Sequence, residues 1–224
     1  MKPAVKLADQ GPAGEQQKLV SELFHALSQP ITALRCSLEL ALYTQSYPSR
    51  ENLQTALAHA EKIAQLAAGI RELVQADDPG DVRVELLLKE CLRGVVVDME
   101  AMVETAQVKI EMSALGTVRV MAEPKRLYQA LFYLIEFALS SAAPGSALHM
   151  ESEAQGEQAL TLLSLSKRKL AANAPPEKEA KSGALSRRLG LAIAGRIFES
   201  VGGRLQVQED EHTLRLRFYL PLAQ

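Results

Sequence analysis

The sequence predicts an α+β protein of two domains, in which a long antiparallel helical hairpin is followed by an α/β sandwich. Two heptad patterns in the first third of the 224 residues predict the hairpin, and strands interleaved with helices in the remainder predict the sandwich. Between them, residues 77–81 (DDPGD) form a strong breaker. We therefore expect an N-terminal tail at 1–13, a hairpin at 14–76, a linker at 77–81 and a second domain at 82–224.

The first predicted helix carries apolar residues at alternating spacings of four and three, the pattern of a helix packed in a bundle or coiled coil. These residues are Val20, Phe24, Leu27, Ile31, Leu34, Leu38 and Ala41. After a predicted break at 46–49, Ser49 is expected to cap a second helix with a similar pattern. Its apolar residues are Leu53, Ala56, Ala60, Ile63, Ala67, Ile70 and Val74. Further leucines lie beside both patterns, and one hairpin cannot cover so wide an apolar surface, so we expect a homodimer with a four-helix bundle.

Beyond the breaker, short apolar runs alternate with longer amphipathic ones. We predict helices at 84–106, 124–141 and 189–201, and strands at 108–112, 117–121, 147–152, 159–166, 204–208 and 213–220. Residues 167–186 are rich in lysine, alanine and proline without periodicity, so we expect a mobile loop there. Helices that can cover one face of the strands indicate a sandwich.

Composition excludes several classes of function. A formal net charge of -2 carries no basic excess, so nucleic acid is not an expected partner. Residues 1–10 lack the apolar run of a signal peptide, and no stretch approaches the roughly 18 apolar residues that span a bilayer. We therefore expect a cytoplasmic protein without membrane contact. Cys36 and Cys91 lie far apart within apolar patterns, and we interpret both as buried small side chains rather than metal ligands.

Three stretches, in this order, resemble the core of bacterial two-component histidine kinases. Residues 25–34 (HALSQPITAL) resemble the H-box, in which a histidine is followed five residues later by proline. Residues 121–139 (MAEPKRLYQALFYLIEFAL) resemble the N-box helix of the ATP-binding domain, and residues 189–203 (LGLAIAGRIFESVGG) resemble the glycine-rich G2 element with its helix. The resemblance covers almost the whole chain. It implies a dimerisation and phosphoacceptor bundle followed by a sandwich of the histidine kinase ATPase (HATPase) type.

The chain departs from this family where the family binds its nucleotide. Phe137 stands at the N-box asparagine that holds Mg²⁺, and a hydrocarbon ring offers no oxygen to a hard cation. Residues 167–170 (KRKL) lack the Asp-x-Gly-x-Gly turn that binds adenine, and Arg188 replaces the first G2 glycine although Gly190 remains. The resemblance therefore implies a degenerate HATPase domain. We expect this chain to bind no cofactor and no metal.

His25 is the candidate catalytic residue, because the resemblance implies that it is the phosphoacceptor. A neutral imidazole nitrogen is nucleophilic near neutral pH; the alternative is an ordinary surface histidine. Ala26 stands where the kinases usually carry a carboxylate base, so we expect transfer from the more reactive aspartyl phosphate rather than from ATP. Gln29, four residues further along the same helical face, is a candidate supporting residue, with a solvated glutamine as the alternative.

The predicted function is that of a histidine phosphotransferase in a two-component phosphorelay, similar to the bimodular kind. Phosphoryl groups would pass between His25 and the receiver-domain aspartates of response regulators without ATP. The expected partners are a second copy of the chain, receiver domains whose own acidic pockets hold Mg²⁺, and an upstream histidine kinase. Two alternatives stay open: an ATP-dependent histidine kinase with an atypical nucleotide pocket, and a non-catalytic pseudokinase scaffold that binds response regulators.

Overall fold

The computed structural model describes residues 12–43, 49–77, 82–167 and 177–223. The chain divides into two compact units, Met1–Ile70 and Arg71–Gln224. The first unit contains a helical hairpin, and the second contains sheets covered by helices, so the predicted fold class is confirmed. None of the helices within the described ranges is long and apolar enough to cross a lipid bilayer.

The hairpin consists of α1 (Pro12–Tyr43) and α2 (Arg50–Gln75). Helix α1 continues through Pro30, whose ring is buried. At the start of α2, the backbone N–H of Asn52 donates to Ser49 Oγ at 3.2 Å, which is the predicted cap. Of the predicted break at 46–49, residues 46–48 lie outside the described residues.

The apolar pattern of α1 covers two adjacent stripes of the helix, only one of which is buried within the chain. Leu19 and Leu23, which lie outside the predicted seam of α1, are buried together with Pro30. The second stripe belongs to the predicted seam and remains exposed. Its residues and exposed fractions are Val20 (44%), Phe24 (66%), Ile31 (45%) and Leu38 (54%). Helix α2 shows the same division, with Leu66 and Leu73 buried while Leu53 and Leu57 are exposed.

The second unit is built around a five-stranded sheet. In chain order its elements are β1 (Val84–Leu87), α3 (Leu88–Asp98), α4 (Glu100–Ala106), β2 (Lys109–Leu115), β3 (Arg119–Ala122), α5 (Pro124–Ser141), β4 (Ala147–Gln155), β5 (Gln158–Ser166), α6 (Glu177–Ser200), β6 (Arg204–Glu209) and β7 (Thr213–Pro221). The large sheet has the order β2-β4-β5-β7-β6, and β1 forms a separate antiparallel pair with β3. Strands β2 and β4 are parallel, and the other neighbours in the large sheet are antiparallel.

Helix α5 supplies much of the core of the second unit. Pro124 occupies its first turn, and the Glu123 carboxylate accepts a hydrogen bond from the backbone N–H of Arg126 at 2.6 Å, which caps the helix. Its apolar positions recur at helical spacing and are all buried: Leu127, Ala130, Leu131, Leu134, Ile135, Ala138 and Leu139. Across the core, the rings of Phe198 and Phe218 stack with centroids 4.8 Å apart.

Three local predictions are wrong. Residues 84–87 form strand β1 rather than the start of a helix, and the predicted helix at 84–106 is further divided at Met99 into α3 and α4. The predicted loop at 167–186 is helical from Glu177 onward, while residues 168–176 lie outside the described residues. Cys36 is exposed rather than buried, and Cys91 is half-buried.

Candidate functional site

His25 lies on α1 with an exposed side chain, beside the apolar pattern. The amide nitrogen Nε2 of Gln29, one turn later, is 3.1 Å from His25 Nε2. The hydroxyl of Ser28 donates to the carbonyl of Phe24 at 2.8 Å, so it is occupied by the backbone. Ala26 has no side chain that can accept a proton. The arrangement therefore presents an imidazole to solvent with one amide partner and no adjacent carboxylate base at position 26.

The N-box helix, α5, presents two aromatic side chains, Tyr133 and Phe137, and Phe137 stands where the resemblance implies an asparagine. Phe137 is half-buried, and Tyr133 lies one turn before it on the same face of α5. The Tyr133 hydroxyl donates a hydrogen bond to the Glu72 carboxylate, and Gln129 Nε2 donates to the same oxygen at 3.0 Å. Glu72 lies in the last turn of α2, and this end of the helix, from Arg71 onward, belongs to the second unit. Sequence reasoning missed Tyr133, although its position four residues before Phe137 was a usable signal.

The ionisable groups around this part of α5 are partly removed from water. Burial, followed by the hydrogen bond to Glu72, raises the pKa of Tyr133 above its usual range. Burial also raises the pKa of Glu136, the carboxyl next to Phe137. In the described ranges, no group of three or more histidine, cysteine, aspartate or glutamate side chains is arranged to hold a metal ion. Glu136 therefore belongs to no such group within these ranges.

Arg188 and Gly190 lie inside the continuous helix α6 rather than in a loop that precedes a helix. A phosphate-binding loop uses free backbone N–H groups at a helix N-terminus, whereas N–H groups in a helix interior bond to carbonyls four residues back. Gly190 also has a packing reason to be glycine. A Cβ atom there would lie 2.7 Å from Cδ1 of Tyr133, so the tyrosine ring takes the space that a side chain would need.

The described residues do not fit a magnesium–nucleotide complex of the family's kind. Phe137 provides no oxygen ligand, the Tyr133 ring packs on Gly190, and the N–H groups around residue 190 belong to a helix interior. In the region of the missing adenine turn, Lys167 contacts the β6–β7 hairpin, with its Nζ 2.6 Å from Glu209 Oε1. Residues 168–170, the rest of that predicted departure, lie outside the described residues.

Replacing Gly190 by alanine is expected to destabilise the second unit by about 1–3 kcal/mol, the usual cost of overpacking. Alanine is a better helix former than glycine by about 1 kcal/mol, so destabilisation would show that the contact with Tyr133 outweighs helix propensity. Thermal or urea unfolding measures the effect. Gly94, in α3, is a matched control, because a Cβ atom added there would meet no neighbouring group within 4 Å and Gly94→Ala should be neutral or stabilising.

A double substitution separates the contact from a general effect on α6. If the Tyr133 ring causes the clash, Tyr133→Ala should reduce the cost of Gly190→Ala, and the two changes should be strongly non-additive. Additive costs would contradict the packing explanation for Gly190.

Solved structures of histidine kinases match almost the whole length of this chain. The histidine kinase AdeS of Acinetobacter baumannii is 20% identical, with 89% of this chain and 98% of that chain covered and a TM-score of 0.64. The chain has the fold of a histidine kinase core. The predicted resemblance is therefore confirmed at the level of the fold.

Two further histidine kinase structures agree with AdeS. The kinase ThkA, solved in complex with the response regulator TrrA, is 19% identical, with 92% of this chain and 61% of that chain covered and a TM-score of 0.65. A histidine kinase from Burkholderia phymatum is 17% identical, with coverages of 90% and 98% and a TM-score of 0.53. No protein-family model and no curated protein matches the sequence. At these identities the likeness concerns the fold alone. The role of each residue in this chain must therefore be argued from its own contacts.

Proposed function

We propose that this histidine kinase-like protein is a histidine phosphotransferase of two-component signalling, which exchanges phosphoryl groups between His25 and the receiver-domain aspartates of response regulators without ATP. The observation that carries the proposal is a contrast between the two units. The H-box keeps an exposed His25 with Pro30 five residues later. The N-box, in contrast, presents Phe137 in place of the oxygen ligand, and the Tyr133 ring packs on Gly190.

The chemistry of the donor supports transfer from a phosphorylated receiver. An aspartyl phosphate is a mixed anhydride with a good leaving group, and the receiver's own acidic pocket supplies the Mg²⁺ that the transfer needs. Attack on ATP would require a nucleotide site in this chain and, in the family, a carboxylate beside the histidine. Ala26 provides no such carboxylate. The fold neighbour ThkA was solved with its response regulator, and we propose a receiver domain as the partner here too.

We further propose that two copies associate through the exposed apolar stripe of α1. Phe24 and Leu38 remain 66% and 54% exposed in the single chain, as do Leu53 and Leu57 of α2 at 55% and 59%. Apolar surface that recurs along both helices at heptad spacing is typical of an interface rather than of scattered surface residues. A second hairpin with the same stripe would cover it in a four-helix bundle.

Calorimetric titration with Mg-ATP is expected to give no binding isotherm at about 1 mM nucleotide, where even a weak ligand at about -4 kcal/mol would be detected. The reason is the absence of an oxygen ligand at Phe137 and the packing of Tyr133 against Gly190. Phosphorylated receiver domain offered in a parallel experiment should transfer its label to the protein.

Each alternative function predicts a different pair of results. A sub-millimolar isotherm, together with label taken up from ATP, would replace the proposal with an ATP-dependent kinase. Receiver binding without label uptake from any receiver of the host would favour a pseudokinase scaffold. The upstream histidine kinase that we expect would then phosphorylate the receiver and not this chain.

A further inference from the structure

The large sheet of the second unit has one covered face and one open face. Every second residue in the central parts of β4, β5 and β7 is buried, as Met150, Leu163 and Phe218 are, and these residues face the helices. The residues between them are half-buried or exposed, so no described element of the chain covers that side. We call this side the open sheet face. Its central residues are Glu151 and Glu153 of β4, Leu160 and Leu162 of β5, and Arg215 and Arg217 of β7.

Charge on the open sheet face is separated by strand. The carboxylates lie on β4, the guanidinium groups lie on β7, and the leucines of β5 lie between them. Leu162 is the cross-strand partner of both Glu151 and Arg217, so these two charged residues are separated by one intervening strand, or about 10 Å. Within the described ranges, neither Glu151 nor Arg217 forms an ion pair in the single chain. Both charges are therefore available to a partner.

The two outer strands differ in what they add to this face. On β2, Glu111 is already paired, with Lys109 Nζ at 2.8 Å and His149 Nδ1 at 2.9 Å, so the acidic half consists of the two β4 carboxylates. On β6, the guanidinium of Arg204 lies 4.1 Å from the centre of the Tyr219 ring, its cross-strand partner. This cation–π contact extends the basic half beyond β7.

A second copy of the same face fits this pattern. A two-fold axis that is parallel to β5 and lies between two packed sheets places β4 of one copy over β7 of the other. The rotation keeps each row of the register, so Glu151 meets Arg217 of the second copy and Leu162 meets its own counterpart. Glu153, in the next row, comes near the stacked Arg204. Sheets packed face to face lie about 10 Å apart, which leaves room for glutamate and arginine side chains.

We propose that the open sheet face is a second self-association surface, through which two copies of the chain pack sheet against sheet. The contact is isologous, so each ion pair across it occurs twice. It lies in the second unit and uses neither His25 nor the exposed stripe of α1, and it therefore goes beyond the proposed function. With one such interface in each unit, hairpin dimers would be linked through their second units into larger assemblies.

The size of the face predicts a weak and reversible contact. Five strands about 4.8 Å apart, with four rows of residues about 6.8 Å apart, give roughly 500 Å² per copy and about 1,000 Å² in total. Specific interfaces begin at about this size, so the charge pairs should have a large share in the affinity. Association is expected at high protein concentration, and it should weaken between about 0.05 and 0.5 M salt because salt screens these pairs.

Charge reversal at the paired positions tests the arrangement. Glu151→Arg and Arg217→Glu should each raise the dissociation constant of the sheet contact at least about 10-fold, because each turns two attractive pairs into repulsive ones. The double variant exchanges the two charges and should return to within about 3-fold of the wild type. A mixture of the two single variants should also associate, since each copy of one then meets opposite charges on the other. Sedimentation velocity at up to about 300 μM protein measures the average mass in each case.

Two exposed residues on the helices provide matched controls. Glu104→Arg on α4 and Lys125→Glu on α5 reverse charge away from the open sheet face and should leave its self-association unchanged. Circular dichroism shows whether each variant is folded. Ile31→Asp, which should open the hairpin dimer, is expected to keep the sheet contact, so the two associations can be measured separately.

The possible results differ in what they overturn. No salt-sensitive association in either the wild type or Ile31→Asp would overturn the proposal and leave the face to solvent or to another partner. Association that both single reversals retain, or that neither the mixture nor the double variant restores, would overturn the two-fold arrangement. None of these results bears on phosphoryl transfer to His25.

Discussion

Replacing His25 by alanine is expected to lower phosphoryl transfer from a receiver domain by at least about 10³-fold, because the substitution removes the nucleophile itself. The side chain is exposed, so its truncation should cost under about 0.5 kcal/mol of stability. The measurement is uptake of label from a phosphorylated receiver, together with thermal unfolding of the same sample. The label on the wild type should be lost in acid and kept in base, as expected of a phosphoramidate.

His59→Ala is the matched control for this experiment, since His59 is a half-buried histidine of α2. It should keep full label uptake. Continued uptake by His25→Ala would place the acceptor elsewhere and contradict the role assigned to the H-box. If His25→Ala lost both label uptake and its folded structure, His25→Gln would separate the two effects. Glutamine keeps a side chain of similar length but has no nucleophilic nitrogen.

A charge in the exposed stripe is expected to break the proposed homodimer. Ile31 is 45% exposed in the single chain and lies in the middle of the stripe on α1. In the four-helix bundle, Ile31→Asp would place one carboxylate from each copy in an apolar interface without a partner. That burial should raise the dissociation constant by more than about 100-fold, or about 3 kcal/mol. Light scattering over a range of concentrations measures the change.

Gln54→Asp is the control, because it adds the same charge at an exposed polar position of α2 and should leave the dimer intact. Helix content from circular dichroism shows whether an Ile31→Asp monomer is still folded. A wild type that is monomeric at micromolar concentration would remove the homodimer from the proposal, and the stripe would then be the surface for another partner.

The sequence correctly predicted the elements whose capping residues and apolar spacing indicate the same boundaries. Helix α5 begins and ends at the predicted residues, because Pro124 and the Glu123 cap coincide with the start of a strong apolar period. Strand β1 was missed, because its four residues (VELL) are too few to show a period that separates strand from helix. The first part of α6 was missed for a different reason. Its lysines, glutamates and alanines favour helix by propensity but show no apolar stripe.

The heptad pattern predicted apolar faces but not which face the chain itself covers. Leu19 and Leu23 are buried, while Phe24 and Ile31 are exposed, although all four belong to one wide apolar surface. To distinguish the two stripes, one must know the position of the neighbouring helix. The spacing of apolar residues along one helix does not give that position. His25, in contrast, lies beside the seam and is exposed.

The departures from the nucleotide motifs were visible in the sequence, but their packing was not. Phe137 and Arg188 could be identified by alignment to a motif, one residue at a time. The contact between the Tyr133 ring and Gly190 joins residues on two different helices, and it changes the reason why residue 190 is glycine. A glycine in such a motif is therefore not by itself evidence of a phosphate-binding backbone, because the same residue type is also required where a ring packs against a helix.

The contact between Tyr133 and Gly190 would oppose a return of the family's nucleotide motifs by single substitutions. Restoring asparagine at Phe137 alone would return one oxygen ligand while the ring of Tyr133, one turn earlier, still packed on Gly190. Shortening Tyr133 would open that place but remove the hydroxyl that donates to Glu72. Unwinding α6 around residue 190 would free backbone N–H groups only after helical hydrogen bonds had been lost. If the proposed function holds, each of these single substitutions would cost a contact of the present structure before a complete nucleotide site was restored.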